Sequence, residues 1–331
     1  MIVERKRTIM SVKRGKTFHF NLDFYLKYLP VFLMVIALIF IGRNNHYFFK
    51  LNNLISVLLQ TASLAIMAIG MTLVLITGGI DLSIPPVMGI SAIIGTILMK
   101  NGGNSVLAFL IMLMIGIGCG MINGIAIAYL KMIPFIVTLS LQMITYGACL
   151  WLAADGVNGV SENYKEVMLA KAGGLIPLPI IWMFLLMILV QVFLKHTYWG
   201  RQLYLVGTNV KMADVSGVNS KAVVFGMYII SGLFAAFAGS VYIARMGAAA
   251  ASMGADTAVT DIVGAAVIGG ASTNGGIGSA TGAVFGAVFI TIIGNAANML
   301  HLSYNVTLML KGMLILAFVA LDMLRRKRRG L

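Results

Sequence analysis

Long apolar runs separated by short polar segments dominate this chain. With about 20 apolar residues taken as the length of a membrane span, the pattern predicts transmembrane helices over residues 24–42, 54–76, 84–99, 106–130, 134–154, 175–194, 222–244, 280–300 and 304–321. A further short membrane segment is predicted just before the glycine-rich stretch that begins at Gly269. The pattern therefore predicts an all-α, polytopic transmembrane bundle of about ten helices.

The composition excludes a soluble fold. Of the 331 residues, 60% are hydrophobic and only 10% are charged, which leaves too little polar surface to cover a water-soluble domain. Cys119 and Cys149 lie inside apolar runs and have neither metal-binding nor redox spacing, so we interpret them as core residues. No small-residue cleavage site follows the first apolar run, which indicates an uncleaved first helix. The surroundings of the chain are therefore membrane lipid.

The formal net charge of +14 does not indicate a nucleic-acid partner, because the basic residues lie in short segments between the apolar runs and at the two ends of the chain. Their placement instead indicates how the helices are oriented in the membrane. Basic residues are concentrated in segments that ten crossings place on one side of the membrane. Because cytoplasmic loops are enriched in Lys and Arg, we assign that side to the cytoplasm. This predicts two cytoplasmic termini and the following divisions: a basic tail over 1–23, a transmembrane domain over 24–322 that includes a cytoplasmic loop over 195–221, and a basic tail over 323–331.

The stretch 77–83, with the sequence TGGIDLS, divides the apolar run of residues 51–99, in which Asp81 is the only ionisable residue. Paired glycines let the backbone leave helical geometry. Ser83 is placed to cap a new helix whose first turn accepts proline. Asp81 then has two interpretations that can hold together. Its charge complements the dipole of that helix, or it belongs to a translocation path through a broken helix.

No pattern of catalytic or metal-binding residues is found in the sequence. The four histidines have no H-E-x-x-H or i,i+4 partner and lie near predicted membrane boundaries. Gly15-Lys16-Thr17 lacks the first glycine of a phosphate-binding loop, because that position is Met10. We therefore predict that the chain holds no catalytic residue, metal or cofactor.

The predicted cytoplasmic loop contains a second candidate site. A segment of Ala, Val and Met residues that ends at a glycine is typical of a short helix with an exposed apolar face. We expect this helix over residues 213–219. Such a face either binds a partner protein or lies on the membrane surface or the bundle, and periodicity alone leaves both interpretations open.

Five motifs in order resemble the membrane permeases of ribose-type sugar ABC importers. They are TGGIDLS at 77–83, PFIVTL at 134–139, GRQLYLVGTN at 200–209 with SGVN at 216–219, IGG with GGIGSATGAVFGA within 268–287, and KGMLILAFVALD at 311–322. The resemblance implies a non-enzymatic subunit of the bacterial cytoplasmic (inner) membrane. It also implies three partners: a second permease copy, identical or not, a separate ATP-binding cassette ATPase that hydrolyses ATP, and an extracytoplasmic solute-binding protein that delivers a monosaccharide.

The resemblance also assigns residues by position. Those implied to couple the chain to the ATPase are Arg201, Asn209, Ala213, Ser216, Gly217 and Asn219. Here the chain departs from the family, because Val210, Lys211 and Met212 stand where the family often has an acidic residue followed by alanines. Asp261 matches an acidic residue that the family places before its Gly-Gly pair.

A translocation pathway is expected to use the helix break and the occasional polar side chains of the apolar helices. The candidates are Gly78, Gly79, Asp81, Ser83, Asn123, Thr138, Asn295 and Asn298. Hydrogen bonding between helices is an equally good interpretation of each polar side chain. The alternative function is a stand-alone secondary transporter or channel. Such proteins usually need carboxylates or charged rings in the membrane, and this chain offers only Asp81 and Asp261.

Overall fold

The computed structural model describes residues 47–254 and 256–329, together with Ile39 and Arg43. The first predicted span, 24–42, lies outside the described residues apart from Ile39, and so does the basic tail before it.

The described part of the chain is mostly α-helical and contains four strands of two residues each. The helices are α1 (Leu51–Ile76), α2 (Ile84–Lys100), α3 (Ser105–Gly124, continued by a π-helical turn, Ile125–Tyr129), α4 (Pro134–Ala153), α5 (Glu162–Met168), α6 (Leu178–His196), α7 (Tyr198–Thr208), α8 (Val210–Val215), α9 (Ser220–Met246), α10 (Asp256–Ile268, preceded by a 3-10 turn, Ala251–Gly254), α11 (Ala280–Met299) and α12 (Tyr304–Arg329). The strands are β1 (Val157–Asn158), β2 (Lys171–Ala172), β3 (Ile176–Pro177) and β4 (Ala248–Ala249), paired antiparallel as β1–β4 and β2–β3.

Each predicted span after the first coincides with one of these helices. Among the described residues, seven segments are long and apolar enough to cross a membrane: α1, α3 with its π-helical turn, α4, α6, α9, α11 and Ala251–Ile268. Helix α2 and the apolar part of α12, Tyr304–Ala320, are shorter. The largest correction to a boundary is at α12, which continues to Arg329 rather than ending at residue 321. Helix α6 begins at Leu178 rather than at residue 175, because Ile176 pairs with Ala172 in the β2–β3 strands.

Helix α1 lies at the centre of the bundle. Its sequence is apolar on every side, which is typical of a helix with neighbours all around it. From residue 61 to residue 76 every side chain is buried except that of Leu64. Helices α9, α11, α10 and α6 pack against it, and α9 also packs along α2 and α3.

Glycines allow the helices of this bundle to pack backbone to backbone. Gly116 of α3 lies against the carbonyl oxygen of Gly232 in α9, and Gly120 of α3 lies against the backbone of Tyr228. Gly282 of α11 contacts the carbonyl oxygen of Gly269 in the same way. In the sequence, Gly116, Gly120 and Gly124 of α3, and Gly282 with Gly286 of α11, follow the G-x-x-x-G spacing that predicts such close packing.

The bundle has two different ends. At one end, called here the α8 end, the α1–α2 connection and the turn at Lys131 lie beside α8. At the opposite end the hydroxyl of Tyr164 in α5 donates to the carbonyl oxygen of Ser240, at 3.3 Å. Helix α1 runs the whole distance between them. Its 26 residues correspond to about 39 Å at 1.5 Å per residue, more than the ~30 Å hydrocarbon core of a bilayer.

Candidate functional site

The α1–α2 connection lies at the α8 end of the bundle rather than halfway along it. Helix α1 ends because Gly78 adopts a left-handed conformation, with φ 83°. The N–H of Gly78 donates to the carbonyl oxygen of Leu75 (2.9 Å) and that of Gly79 donates to the carbonyl oxygen of Val74 (3.3 Å). This pair of bonds is the Schellman termination, which places glycine at the left-handed position. The chain then leaves the helix axis and delivers Asp81 into the packed interior.

The carboxylate of Asp81 is 1% exposed. Its Oδ1 accepts hydrogen bonds from the backbone N–H of Ser83 (3.1 Å) and from the Ser83 hydroxyl (2.6 Å). Its Oδ2 accepts from the hydroxyl of Ser231 in α9, at 2.7 Å. The expected capping of α2 by the Ser83 side chain is wrong, because that hydroxyl donates to Asp81 and makes no cap hydrogen bond.

Helix α3 completes the cluster around Asp81. The side-chain amide of Asn123 donates to the Ser83 hydroxyl oxygen at 2.9 Å and to Oδ1 of Asp81 at 3.4 Å. The hydroxyl of Tyr228 donates to the carbonyl oxygen of Ile80, at 3.2 Å. The cluster therefore ties the start of α2 to both α3 and α9. We call these side chains the Asp81 cluster: Asp81, Ser83, Asn123, Tyr228 and Ser231.

Two members of the Asp81 cluster, Tyr228 and Ser231, were not among the residues predicted from the sequence. They lie three residues apart on α9, so both project from one helix face. A polar pair at that spacing on an apolar helix was the available signal. In the described part of the chain, Asp81 forms no ion pair, and the side-chain amide oxygen Oδ1 of Asn123 is buried without a hydrogen-bond partner.

A second helix break lies against the first. Helix α10 ends with the same termination as α1: Gly270 has φ 88°, and the N–H of Ala271 donates to the carbonyl oxygen of Ala266 at 2.9 Å. The loop that follows, residues 269–279, returns to α1, where the N–H of Gly276 donates to the carbonyl oxygen of Ile76 at 2.9 Å. The two breaks are thus joined by a backbone hydrogen bond.

Helix α7 packs onto this junction. Gly207 lies against the carbonyl oxygen of Ile76, and a Cβ atom at Gly207 would lie 2.7 Å from the backbone nitrogen of Gly276. The hydroxyl of Tyr204 donates to the carbonyl oxygen of Gly278 at 2.7 Å, and burial raises the pKa of this phenol, so it remains a neutral donor. Helix α7 is therefore in contact with both breaks at once.

The short helix predicted near Gly217 is present, with corrected bounds. Helix α8 spans Val210–Val215 rather than 213–219. It begins at Asn209, whose side chain accepts from the N–H of Met212 at 3.1 Å. It ends in a Schellman turn: Gly217 has φ 80°, and the N–H of Val218 donates to the carbonyl oxygen of Ala213 at 3.0 Å.

The remaining coupling candidates have local structural roles or face outward. Asn219 caps α9 by accepting from the N–H of Ala222 at 3.1 Å, and the Ser216 hydroxyl donates to the carbonyl oxygen of Met212 at 2.8 Å. Arg201 is exposed. Ala213 is buried, whereas the apolar side chains of Met212 and Val215 are 67% and 89% exposed. Helix α8 therefore presents an unpartnered apolar surface at this end of the bundle.

Three predicted pathway residues do not join the Asp81 cluster. The hydroxyl of Thr138 donates within its own helix, to the carbonyl oxygen of Pro134 at 2.9 Å. Asn295 exchanges hydrogen bonds of 3.2 Å with Asn53, near the start of α1 and so at the opposite end of the bundle from Asp81. Asn298, one turn beyond Asn295 on α11, is exposed. The eight candidates consequently do not form one site.

Asp261 has a different environment from Asp81. Its Oδ2 lies 2.7 Å from Nζ of Lys311, with side chains 24% and 18% exposed. This ion pair joins α10 to α12.

The fold and these sites define a helical membrane permease: a bundle with two joined helix breaks and a projecting helix at the same end. The chain belongs to the family described as branched-chain amino acid transport system / permease component, whose model matches residues 53–319.

Individual relatives agree with this assignment. The ribose import permease of Bacillus subtilis (strain 168) is 35% identical over 311 residues, which cover 93% of this chain and 95% of that protein. The D-allose transport system permease of Escherichia coli (strain K12) is 33% identical over 326 residues, 97% of this chain and 98% of that protein. The fructose import permease of Rhizobium meliloti is 32% identical over 308 residues, 90% of this chain and 85% of that protein. The resemblance to sugar permeases is confirmed. No solved structure matches the chain.

Proposed function

We propose that this chain is the membrane-spanning subunit of an ATP-driven monosaccharide importer in the bacterial cytoplasmic membrane. The three relatives described above are named for the import of ribose, allose and fructose, although the family description mentions branched-chain amino acids. Their similarity extends over nearly the whole chain, which supports a sugar as cargo. The subunit is not an enzyme, and ATP is hydrolysed by a separate cassette protein.

The observation that carries the mechanism is the contact of α7 with both helix breaks. In this proposal the ATPase binds the exposed apolar surface of α8, which includes Met212 and Val215. Helix α7 precedes α8 directly, and Gly207 of α7 touches Ile76 and the backbone of Gly276. A displacement of α8 is then passed to both breaks, because packed backbones move together rather than deform.

The proposed arrangement in the membrane has about ten spans, with both termini and α8 in the cytoplasm. It is supported by the distribution of basic residues and by the grouping of Lys131 with α8 at one end of the bundle. The solute-binding protein then delivers its sugar at the opposite end, and the sugar crosses beside a second permease copy. The Asp81 cluster holds the start of α2 in one of two alternating arrangements.

The experiment compares the wild-type chain with Gly207→Ala, each expressed with the ATPase and the binding protein of the same transport system. Uptake of labelled ribose, allose and fructose is measured, together with stimulation of ATP hydrolysis and the amount of permease in the membrane. We expect ATP-dependent uptake of at least one of these sugars by the wild-type chain. Gly207→Ala should reduce uptake and ATPase stimulation about tenfold or more, because its methyl group meets the backbone of both breaks.

Gly226→Ala is the matched control, since this helical glycine of α9 has open space where a Cβ atom would lie. It should transport like the wild type. Normal coupling in Gly207→Ala would contradict the proposed route through α7. Uptake that persists without the ATPase would instead favour a stand-alone transporter.

A further inference from the structure

A cavity of about 470 Å³ opens at the α8 end, beside the Asp81 cluster. Its walls come from the α1–α2 break at Gly78 and Gly79, the end of the π-helical turn, the start of α4, helix α8 and the start of α9. Residues distant in the sequence therefore line one space between the break and α8.

The charge of this cavity is strongly positive. Lys131, Lys211 and Lys221 line it and come from three different segments, whereas Asp214 is the one carboxylate among its lining residues. Within the described part of the chain, none of these lysines forms an ion pair. Helices α4 and α9 also begin at the cavity wall, and helix N-termini carry partial positive charge.

The backbone conformation at Lys131 indicates that the fold holds this residue in a fixed place at the cavity. Its φ is 58°, in the left-handed region that residues other than glycine rarely adopt. Such a conformation costs about 1 kcal/mol or more and persists where the surrounding structure imposes it. The N–H of Met132 donates to the carbonyl oxygen of Ala126 at 3.1 Å and closes the turn. The turn directs the chain from α3 into α4 with Lys131 at the cavity.

Apolar side chains, among them Ile127, Met132 and Val224, form much of the rest of the wall. A neutral sugar has no charge for the three ammonium groups to attract, so they would add little to its binding free energy in this cavity. A phosphate group attached to a hydrocarbon tail matches both parts, because the ammonium groups bind phosphate oxygens and the apolar wall accepts the tail. Basic pockets between helices at the cytoplasmic surface commonly bind anionic lipid headgroups.

We propose that this cavity binds the phosphate group of an anionic phospholipid, held by Lys131, Lys211 and Lys221. The assignment to the cytoplasmic leaflet rests on the proposed orientation of the permease. A lipid bound there touches both the α1–α2 break and α8, so it bridges these two walls of the cavity. This role is separate from the apolar surface of α8 that is proposed to bind the ATPase.

The test measures lipid binding by the full-length permease in detergent, without ATPase or sugar. Phosphatidylglycerol and phosphatidylcholine are titrated separately and the bound lipid is counted by native mass spectrometry. We expect phosphatidylglycerol to bind in preference to phosphatidylcholine. The triple variant Lys131→Gln, Lys211→Gln, Lys221→Gln should weaken phosphatidylglycerol binding at least about tenfold, since each cation near an anionic surface contributes roughly a fivefold change in affinity.

The control variant carries Lys100→Gln, Lys171→Gln and Lys195→Gln, which remove the same charge from positions that do not line the cavity. It should bind phosphatidylglycerol like the wild type. Equal loss in both variants, or no loss in the cavity variant, would overturn the proposal. Displacement of the lipid by millimolar inorganic phosphate would identify a free-anion site and overturn the lipid assignment. Because neither transport nor ATP is involved, failure of the proposed import function would leave this result unaffected.

Discussion

Two carboxylates of the membrane domain, Asp81 and Asp261, are held in opposite ways. Asp261 is neutralised by the ammonium group of Lys311 at 2.7 Å, and both side chains remain partly exposed. Asp81 is almost fully buried and is held by the hydroxyls of Ser83 and Ser231, by the amide of Asn123 and by a backbone N–H. Asp261 therefore belongs to an ion pair between two helices, whereas Asp81 is held by a network of uncharged hydrogen-bond donors.

We infer from this difference which acid belongs to a part of the molecule that moves during transport. An ion pair inside a membrane removes the cost of two isolated charges and makes separation of its helices unfavourable. Neutral donors can exchange one acceptor for another at a smaller cost. Asp261 therefore fastens α10 to α12, whereas at Asp81 we propose that α2 takes up alternative positions against α3 and α9.

The largest effect on the amount of permease in the membrane is expected from breaking the ion pair. Lys311→Met leaves Asp261 without a partner in a largely apolar environment, and because the pair is only partly buried the loss is expected to cost on the order of 1–2 kcal/mol, less than for a fully buried pair. The amount of permease in the membrane should fall several-fold, as measured by immunoblotting of washed membranes.

The double variant Lys311→Met, Asp261→Asn tests the reason for that loss. It removes both charges, so abundance should recover and uptake per inserted molecule should stay near that of the wild type. A double variant that inserts normally but does not transport would place Asp261 in the mechanism instead.

Asp81→Asn should have a smaller effect on abundance and a specific effect on uptake. The amide has nearly the same shape, but its hydrogen bonds with Ser83 and Ser231 lose their charge-assisted strength. Weakening by about 1.4 kcal/mol changes an equilibrium tenfold. We expect uptake per inserted permease to fall about tenfold while abundance changes less than twofold.

Ser231→Ala provides the matched comparison, because it removes the only hydroxyl that donates to Oδ2 of Asp81 among the described residues. It should impair uptake in the same direction as Asp81→Asn. Activity near wild type in both variants would show that Asp81 only stabilises the start of α2 and has no part in transport.

Local signals in the sequence were sufficient to predict most helices and their close packing. The hydrophobic runs, the glycine spacings of α3 and the stop at Gly217 each depend on neighbours within a few residues. The Asp81 cluster could not be assembled in this way, because Asn123 and Ser231 lie 42 and 150 residues from Asp81 in the chain. The local capping rule failed at Ser83 for a different reason, because its hydroxyl donates to Asp81, two residues earlier in the chain, instead of capping α2.

The smallest effect is expected at Thr138, a predicted pathway residue that is buried and polar like Asp81. Its hydroxyl donates to the carbonyl oxygen of Pro134, four residues earlier in α4, so it links no second helix. Thr138→Val keeps the shape and removes this bond, at a cost below about 1 kcal/mol. Abundance and sugar uptake should both stay within about twofold of the wild type, measured beside Asp81→Asn as the impaired reference. A loss of uptake as large as that of Asp81→Asn, with normal abundance, would show that the Thr138 hydroxyl serves the passing sugar and that the pathway reaches α4.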